Sequence, residues 1–117
     1  MKYKLYLDDI RHPRHTPEYR DFDRSFFLDI KIARTYDEAV NIMNEHGIPS
    51  VLMLDYDLGA DIHLGIDVVN HFISLVKENP SALDPEFIYF VHSNSKAGAA
   101  LMRETLDNFL KELGRLK

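Results

Sequence analysis

Val51-Leu52-Met53-Leu54-Asp55-Tyr56-Asp57-Leu58-Gly59 begins with four apolar residues that do not alternate with polar ones, and the run stops at an acid. A strand with one wet face alternates, whereas a parallel strand covered on both faces reads as a continuous apolar run. The stretch therefore predicts the central strand of a parallel sheet, with Asp55 at its carboxyl end. Upstream, Thr35-Tyr36-Asp37-Glu38 has the spacing of a capping box. It opens a helix that turns Ala39, Val40 and Met43 inward and that Gly47 and Pro49 stop. Downstream, Ile66, Val69, Phe72, Ile73 and Val76 recur at helical spacing until Asn79-Pro80 ends the pattern.

Farther out, Tyr3-Lys4-Leu5-Tyr6-Leu7 predicts a first strand that ends at Asp8-Asp9, and Ile30-Lys31-Ile32-Ala33 a second. Phe87-Ile88-Tyr89-Phe90-Val91 predicts a further buried strand, and from about Lys96 onward Met102, Leu106, Phe109, Leu110 and Leu113 form the stripe of a closing helix. Positions 9 to 29 are long for a loop and contain Pro13, Pro17 and an aromatic group, Tyr19, Phe22, Phe26 and Phe27. They predict irregular structure or a short helix, with at least Phe26 and Phe27 in the core. If Tyr19 and Phe22 were exposed, they would suit a partner or a lid over a ligand.

Alternating strands and helices imply a parallel sheet with right-handed crossovers. The expected class is α/β, a three-layer sandwich around a short, mostly parallel four-stranded sheet of order 2-1-3-4. With 117 residues, no repeat and no linker, residues 1–117 read as a single domain. Nothing approaches the roughly 20 apolar residues of a membrane helix, and the N-terminus lacks a secretory pattern, so the expectation is a cytoplasmic chain without membrane contact. Lacking cysteine, the chain has no disulfide and no thiolate ligand or nucleophile, so a metal must use oxygen or imidazole. A net charge of −5 argues against extended nucleic-acid binding but leaves room for a phosphorylated small molecule. The basic run Arg11-His12-Pro13-Arg14-His15, followed by Arg20 and Arg24, is either a solvated loop or a phosphate-contacting one. No protein partner is indicated.

In the order 2-1-3-4, Asp8-Asp9, Asp55-Tyr56-Asp57 and His92-Ser93 all converge at strand ends, where such sheets carry their sites. Crowded carboxylates repel, and a hard divalent cation such as Mg²⁺ or Mn²⁺ holds them together. Asp8, Asp9 and Asp55 are the expected metal ligands, Asp55, Asp57 and His92 the expected catalytic groups, and Arg11, Ser93, Ser95 and Lys96 the expected phosphate contacts. Each also has a plainer role: an acid or serine capping the next element, a buried structural histidine, a surface lysine. His12, His15, His46, His63 and His71 lack metal-ligand spacing.

The acidic pair Asp8-Asp9, the lone strand-end Asp55, and Ser93 resemble the receiver domains of response regulators, which implies a receiver or flavodoxin-like fold. Here it would be truncated after the fourth strand and its helix, without the lysine-bearing strand of those domains. Leu7-Asp8-Asp9-Ile10-Arg11-His12-Pro13, Asp55-Tyr56-Asp57-Leu58-Gly59 and His92-Ser93-Asn94-Ser95-Lys96-Ala97-Gly98 more closely resemble the cyclic-phosphate processing receiver-like family. That family's patterns are Leu-Asp-Asp-x-Arg-x-Pro, Asp-His-Asp-Leu-Gly and His-Ser-x-Asn-Pro-x-Gly. The resemblance implies a metal-assisted phosphoesterase, a phosphoric-ester hydrolase acting on a cyclic or other phosphate-containing small ligand. Tyr56 departs from the family histidine, and tyrosine in general is a poor base at pH 7. Ser95-Lys96 replaces Asn-Pro, and His63 is a candidate substitute base from the same loop. The other readings are a non-catalytic receiver-like binding or regulatory module and a phosphoacceptor signalling domain. A haloacid-dehalogenase-like use of Asp55 and Asp57 ranks last, because that motif normally opens its fold.

Overall fold

A computed structural model of the chain describes residues 2–115. The strands are β1 (Lys4–Leu7), β2 (Ile30–Ala33), β3 (Val51–Leu54) and β4 (Ile88–Val91), and the α-helices are α1 (Tyr36–His46), α2 (Gly65–Glu78) and α3 (Lys96–Glu112). All strand pairs are parallel, in the order β2-β1-β3-β4, as the sequence predicts. Lys4 lies opposite Ile30 and Val51, and Val51 lies opposite Ile88, so residues occupying one row across the sheet point to one face.

Leu5, Leu7, Leu52 and Leu54 point to the first face, where they pack with residues of all three α-helices, among them Met43, Phe72 and Leu106. Handedness explains the shared layer: the connections β2-α1-β3 and β3-α2-β4 move in the same direction across the sheet, so right-handed crossovers put α1 and α2 on one side. The second face presents Tyr6, Val51 and Met53, with Ile30, Ile32 and Phe90. Here the third layer is the β1–β2 connection itself. It runs through short 3₁₀ turns at Pro13–His15, Pro17–Tyr19 and Arg24–Phe27, and it lays Tyr19, Phe22, Phe26 and Phe27 against the sheet. Tyr19 is completely buried, so it is a core residue and not an exposed lid aromatic; Phe26 and Phe27 are half-buried.

The ends of the helices follow local chemistry. Thr35 Oγ1 accepts the Glu38 N–H at 3.1 Å, while Glu38 Oε1 reaches one residue past the cap to the Arg34 N–H at 2.7 Å. Gly47 closes α1 in the left-handed region at φ 88°. The Asp67 carboxylate takes the Leu64 N–H ahead of α2 at 2.8 Å, and Ser95 caps α3 through the Gly98 N–H at 3.0 Å. One expectation fails in degree: β4 is an edge strand with Ile88 49% exposed, not a strand buried on both faces. Its apolar composition matches a buried strand, but the covering segment reaches only as far as Phe90.

Gly65 opens α2 directly behind the β3 terminus, and a Cβ there would overlap the Asp55 carbonyl oxygen. Because that obstacle is backbone, Gly65→Ala should destabilise the fold by about 1–3 kcal/mol, the usual cost of overpacking. Urea denaturation would check this; an unchanged midpoint would mean that α2 can shift freely away from β3.

Candidate metal and phosphate site

The ladder runs one residue past the assigned ends of β1, β3 and β4. The Asp8 N–H donates to Ala33 O at 3.2 Å, the Asp55 N–H to Leu7 O at 3.1 Å and the His92 N–H to Leu54 O at 2.9 Å. Asp8, Asp55 and His92 therefore form the next row of the sheet. By the period of two they belong to the face of Tyr6, Met53 and Phe90, beneath the 10–29 segment.

Asp8 is wholly buried and its carboxylate is densely engaged. Oδ1 accepts the N–H groups of Ile10 at 3.0 Å and Arg11 at 2.9 Å. Oδ2 accepts Arg11 Nε–H at 2.9 Å and the Tyr6 hydroxyl at 3.3 Å. Arg11 also donates to the His92 carbonyl at 2.8 Å, tying the β1 loop to the end of β4. Arg34 reaches the carbonyls of Asp8 and Arg11 and holds the same loop from the β2 side.

Above this row lies an open cleft of about 430 Å³. It is lined by Asp8, Asp9, Ile10, Arg11, Asp55, Asp57, Gly59, Ser93, Asn94 and Ser95. Asp8, Asp9 and Asp55 each bring one carboxylate oxygen within 4.8 Å of the others, close enough to share a cation. The donor set, hard carboxylate oxygens without sulfur, fits Mg²⁺ or Mn²⁺. Gly59 is needed here twice over, since it takes φ 68° and a Cβ on it would lie 2.6 Å from Asp9 Oδ2. Ser93 Oγ accepts the Ser95 N–H at 3.1 Å, so both serine hydroxyls act as turn or cap acceptors and each keeps its O–H for a ligand.

The expected residues separate into three groups. Asp8, Asp9, Asp55, Asp57, Arg11, Ser93 and Ser95 all line the cleft. Lys96 is exposed at the first position of α3 and is not part of the lining. His92 lies under the cleft floor with no solvent exposure, sandwiched against Tyr6 at 4.8 Å with its Nδ1 2.7 Å from the Tyr19 hydroxyl. Tyr56 points away from the cleft and packs its ring where a Cβ on Gly98 would otherwise sit. His63 stacks on Tyr36 at 3.9 Å and faces Asp67, outside the cleft lining. Ile10, Gly59 and Asn94 stand inside the quoted motifs, but nothing in the sequence assigns them a role at the site. Nor were Tyr6 and Thr16, whose partnership through their hydroxyls is a contact between strand and loop.

With this geometry in hand, the chain can be placed among known proteins. The family model described as the cyclic-phosphate processing receiver domain matches residues 3–108. The chain belongs to that family. No curated protein matches it. Among solved structures, a chain described as a yeast Spc42 trimeric coiled-coil segment, amino acids 181–211, fused to another structure, is similar at 14% identity. The match covers 98% of this chain and 91% of that one with a TM-score of 0.47. Membership in the cyclic-phosphate processing receiver family agrees with the strand order and with the acid cluster at the carboxyl ends of β1 and β3. Among the described residues no helix is long and apolar enough to cross a membrane.

Proximity leaves a mark on the titrating groups of this receiver domain. Asp55 is pushed up to about 6, first by burial and then by the negative charge of Asp8. For Asp8 burial acts in the same upward direction, but the N–H groups of Arg11 and Ile10 and the Arg11 charge outweigh it and hold the carboxyl below its usual range. Burial pushes His92 down to about 4, so its ring is neutral at physiological pH. The raised Asp55 means that the folded chain keeps a proton that the unfolded chain has released above 3.8, so stability falls as pH rises from there to about 6. The depressed His92 acts oppositely, with stability rising from about pH 4 to 6.5. Wild-type urea midpoints should therefore change little across this window, whereas Asp55→Asn should uncover the His92 slope and gain stability with pH. A flat profile for Asp55→Asn would rule out the neutral, buried His92.

Proposed function

We propose that this receiver domain is a metal-assisted phosphoesterase that opens small cyclic phosphodiesters at the cleft between β1, β3 and α3. The observation that carries the reading is the convergence of Asp8, Asp9 and Asp55 within reach of one cation, beside the Arg11 guanidinium and the Ser93 and Ser95 hydroxyls. Negative and positive groups in one cleft suit a ligand that brings a phosphate to a bound cation. Asp9 and Asp55 would hold the cation, together with whatever lone pairs Asp8 has left beyond its hydrogen bonds. Mg²⁺ or Mn²⁺ there would offset phosphate charge and raise the acidity of water.

The chain's own groups then divide the remaining work. Arg11, Ser93 and Ser95 bind the non-bridging phosphate oxygens, aided by the free N–H groups at the start of α3. Asp57, exposed at the rim, orients the attacking water. Water adds to phosphorus and gives up a proton to solvent, one ester P–O bond breaks, and the released alkoxide takes a proton, leaving a phosphomonoester. His92 is too deeply buried to deliver that proton, so we assign it to the support of Asp8 and leave the proton to solvent entering the open cleft. Lys96 contributes charge at the approach to the site instead of a direct contact.

A second reading, a binding module without turnover, is favoured by one observation: among the described residues no imidazole lines the cleft. A titration with Mg²⁺ and Mn²⁺ followed by amide NMR, coupled to a phosphorus-NMR assay on five- and six-membered cyclic phosphodiesters, separates the two. The phosphoesterase reading expects shifts at Asp8, Asp9 and Asp55 that vanish in Asp55→Asn, and turnover that falls at least about a hundredfold in that variant. Cation binding without turnover on any cyclic phosphodiester would support the binding module, and activity retained in Asp55→Asn would remove Asp55 from the mechanism.

A further inference from the structure

Tyr19 belongs to the covering segment, not to the strand ends, yet it is the only described hydrogen-bond partner of His92 Nδ1. We propose that Tyr19 is a positioning residue for the cation site, acting through His92 on Asp8, so that the 10–29 cover helps set the geometry of the acid cluster. The inference rests on the cation-binding reading of that cluster.

The argument begins with proton counting. Asp8 is an ionised carboxylate and only accepts, and its Oδ2 lies 3.3 Å from His92 Nε2. Nε2 is fully buried and has no well-formed hydrogen bond among the described residues, and the carboxylate facing it is that of Asp8. A proton on Nε2 makes that contact attractive, whereas a lone pair there would face the carboxylate's negative charge. In a neutral ring the other nitrogen then carries the lone pair, and Nδ1 must accept. The Tyr19 hydroxyl, 2.7 Å away, supplies the donor. The direction is thereby set along the whole line: Tyr19 O–H to Nδ1, and Nε2–H toward Asp8 Oδ2.

Packing holds this line in place. The His92 ring is parallel to Tyr6 within 5° and meets the edge of Tyr19 at 76°, so it cannot swing to present its nitrogens elsewhere. Tyr19 is itself wedged among Phe22, Phe26 and Phe90. Tyr6 gives a parallel link, since its hydroxyl meets both Asp8 Oδ2 and Thr16 Oγ1 of the cover. Two hydroxyls thus connect one carboxylate to the covering segment. Outer partners of this kind orient a ligand and tune its basicity, and losing one typically costs about 10–100-fold in metal affinity.

The test is Tyr19→Phe in the full chain, which removes the hydroxyl and keeps the ring. Three signals are read: the ¹⁵N shifts of the His92 ring without metal, hydrogen exchange at Arg11 Nε, and affinity for Mn²⁺. We expect wild type to show the Nε2–H tautomer, and Tyr19→Phe to lose it as the sole form. Exchange at Arg11 Nε should quicken, because its acceptor Asp8 is less firmly held, and Mn²⁺ affinity should fall about tenfold. Adding Tyr19→Phe to a His92→Phe background should cost nothing further, since the relay is already cut. An unchanged tautomer or unchanged Arg11 exchange overturns the relay, and wild-type Mn²⁺ affinity in Tyr19→Phe overturns the positioning role. If the wild type itself binds no Mn²⁺, the cation reading and the positioning role fail together, while the two metal-free signals still decide whether Tyr19 holds Asp8 through His92.

Discussion

A buried carboxylate, Asp8, sits at the end of a central strand, and the architecture around the cleft follows from satisfying it. A buried charge without partners is prohibitively costly, and one that loses a partner typically costs on the order of 3–5 kcal/mol. The loop after β1 therefore wraps back so that the Ile10 and Arg11 N–H groups reach Oδ1 while the Arg11 side chain reaches Oδ2. Arg11 then engages the His92 carbonyl, and Arg34 engages the loop carbonyls of Asp8 and Arg11. One buried anion thus organises the ends of β1, β2 and β4 into a single rim.

The arrangement also separates two acids that look alike in sequence. Asp8 is stabilised as an anion by its donors, while burial and then the Asp8 charge raise Asp55 on the neighbouring strand. Asp8, Asp9 and Asp55 lie close enough to share a cation, and a cation there would offset the charge that Asp8 presents to Asp55. In the sequence the acid pair Asp8-Asp9 and the strand-end Asp55 stand far apart. The reason for their proximity is visible in the continued ladder.

The second layer against the sheet is unusual in being made from a connection that contains no α-helix. Three short 3₁₀ turns and four aromatic side chains cover the face that carries Tyr6, Met53 and Phe90. Aromatic rings suit that task, since each buries a large area while costing few rotatable bonds. Because the row of Asp8, Asp55 and His92 continues that face, the cover and the cleft floor share residues. Packing on the sheet and the chemistry at its edge are consequently not independent here, and Tyr19 takes part in both.

By itself the sequence determined the strand order, the helices and the candidate acids. Strong apolar runs, capping patterns and right-handed crossovers are local or topological constraints that leave little choice. The strand runs Tyr3 to Leu7 and Val51 to Leu54, the acids after each, and the order 2-1-3-4 were enough to place Asp8, Asp9 and Asp55 together. What the tertiary structure alone decided was the depth and direction of side chains near the strand ends. His92 and Ser93 are consecutive, yet the pleat sends the histidine under the floor and the serine into the cleft. Tyr56 leaves the site to fill the space that Gly98 lacks a side chain to occupy, and Lys96 stays outside the lining because helix α3 has begun. Tyr19 reaches His92 across 73 positions of chain, a pairing that no local pattern encodes, because it depends on how an irregular segment folds over one face of the sheet.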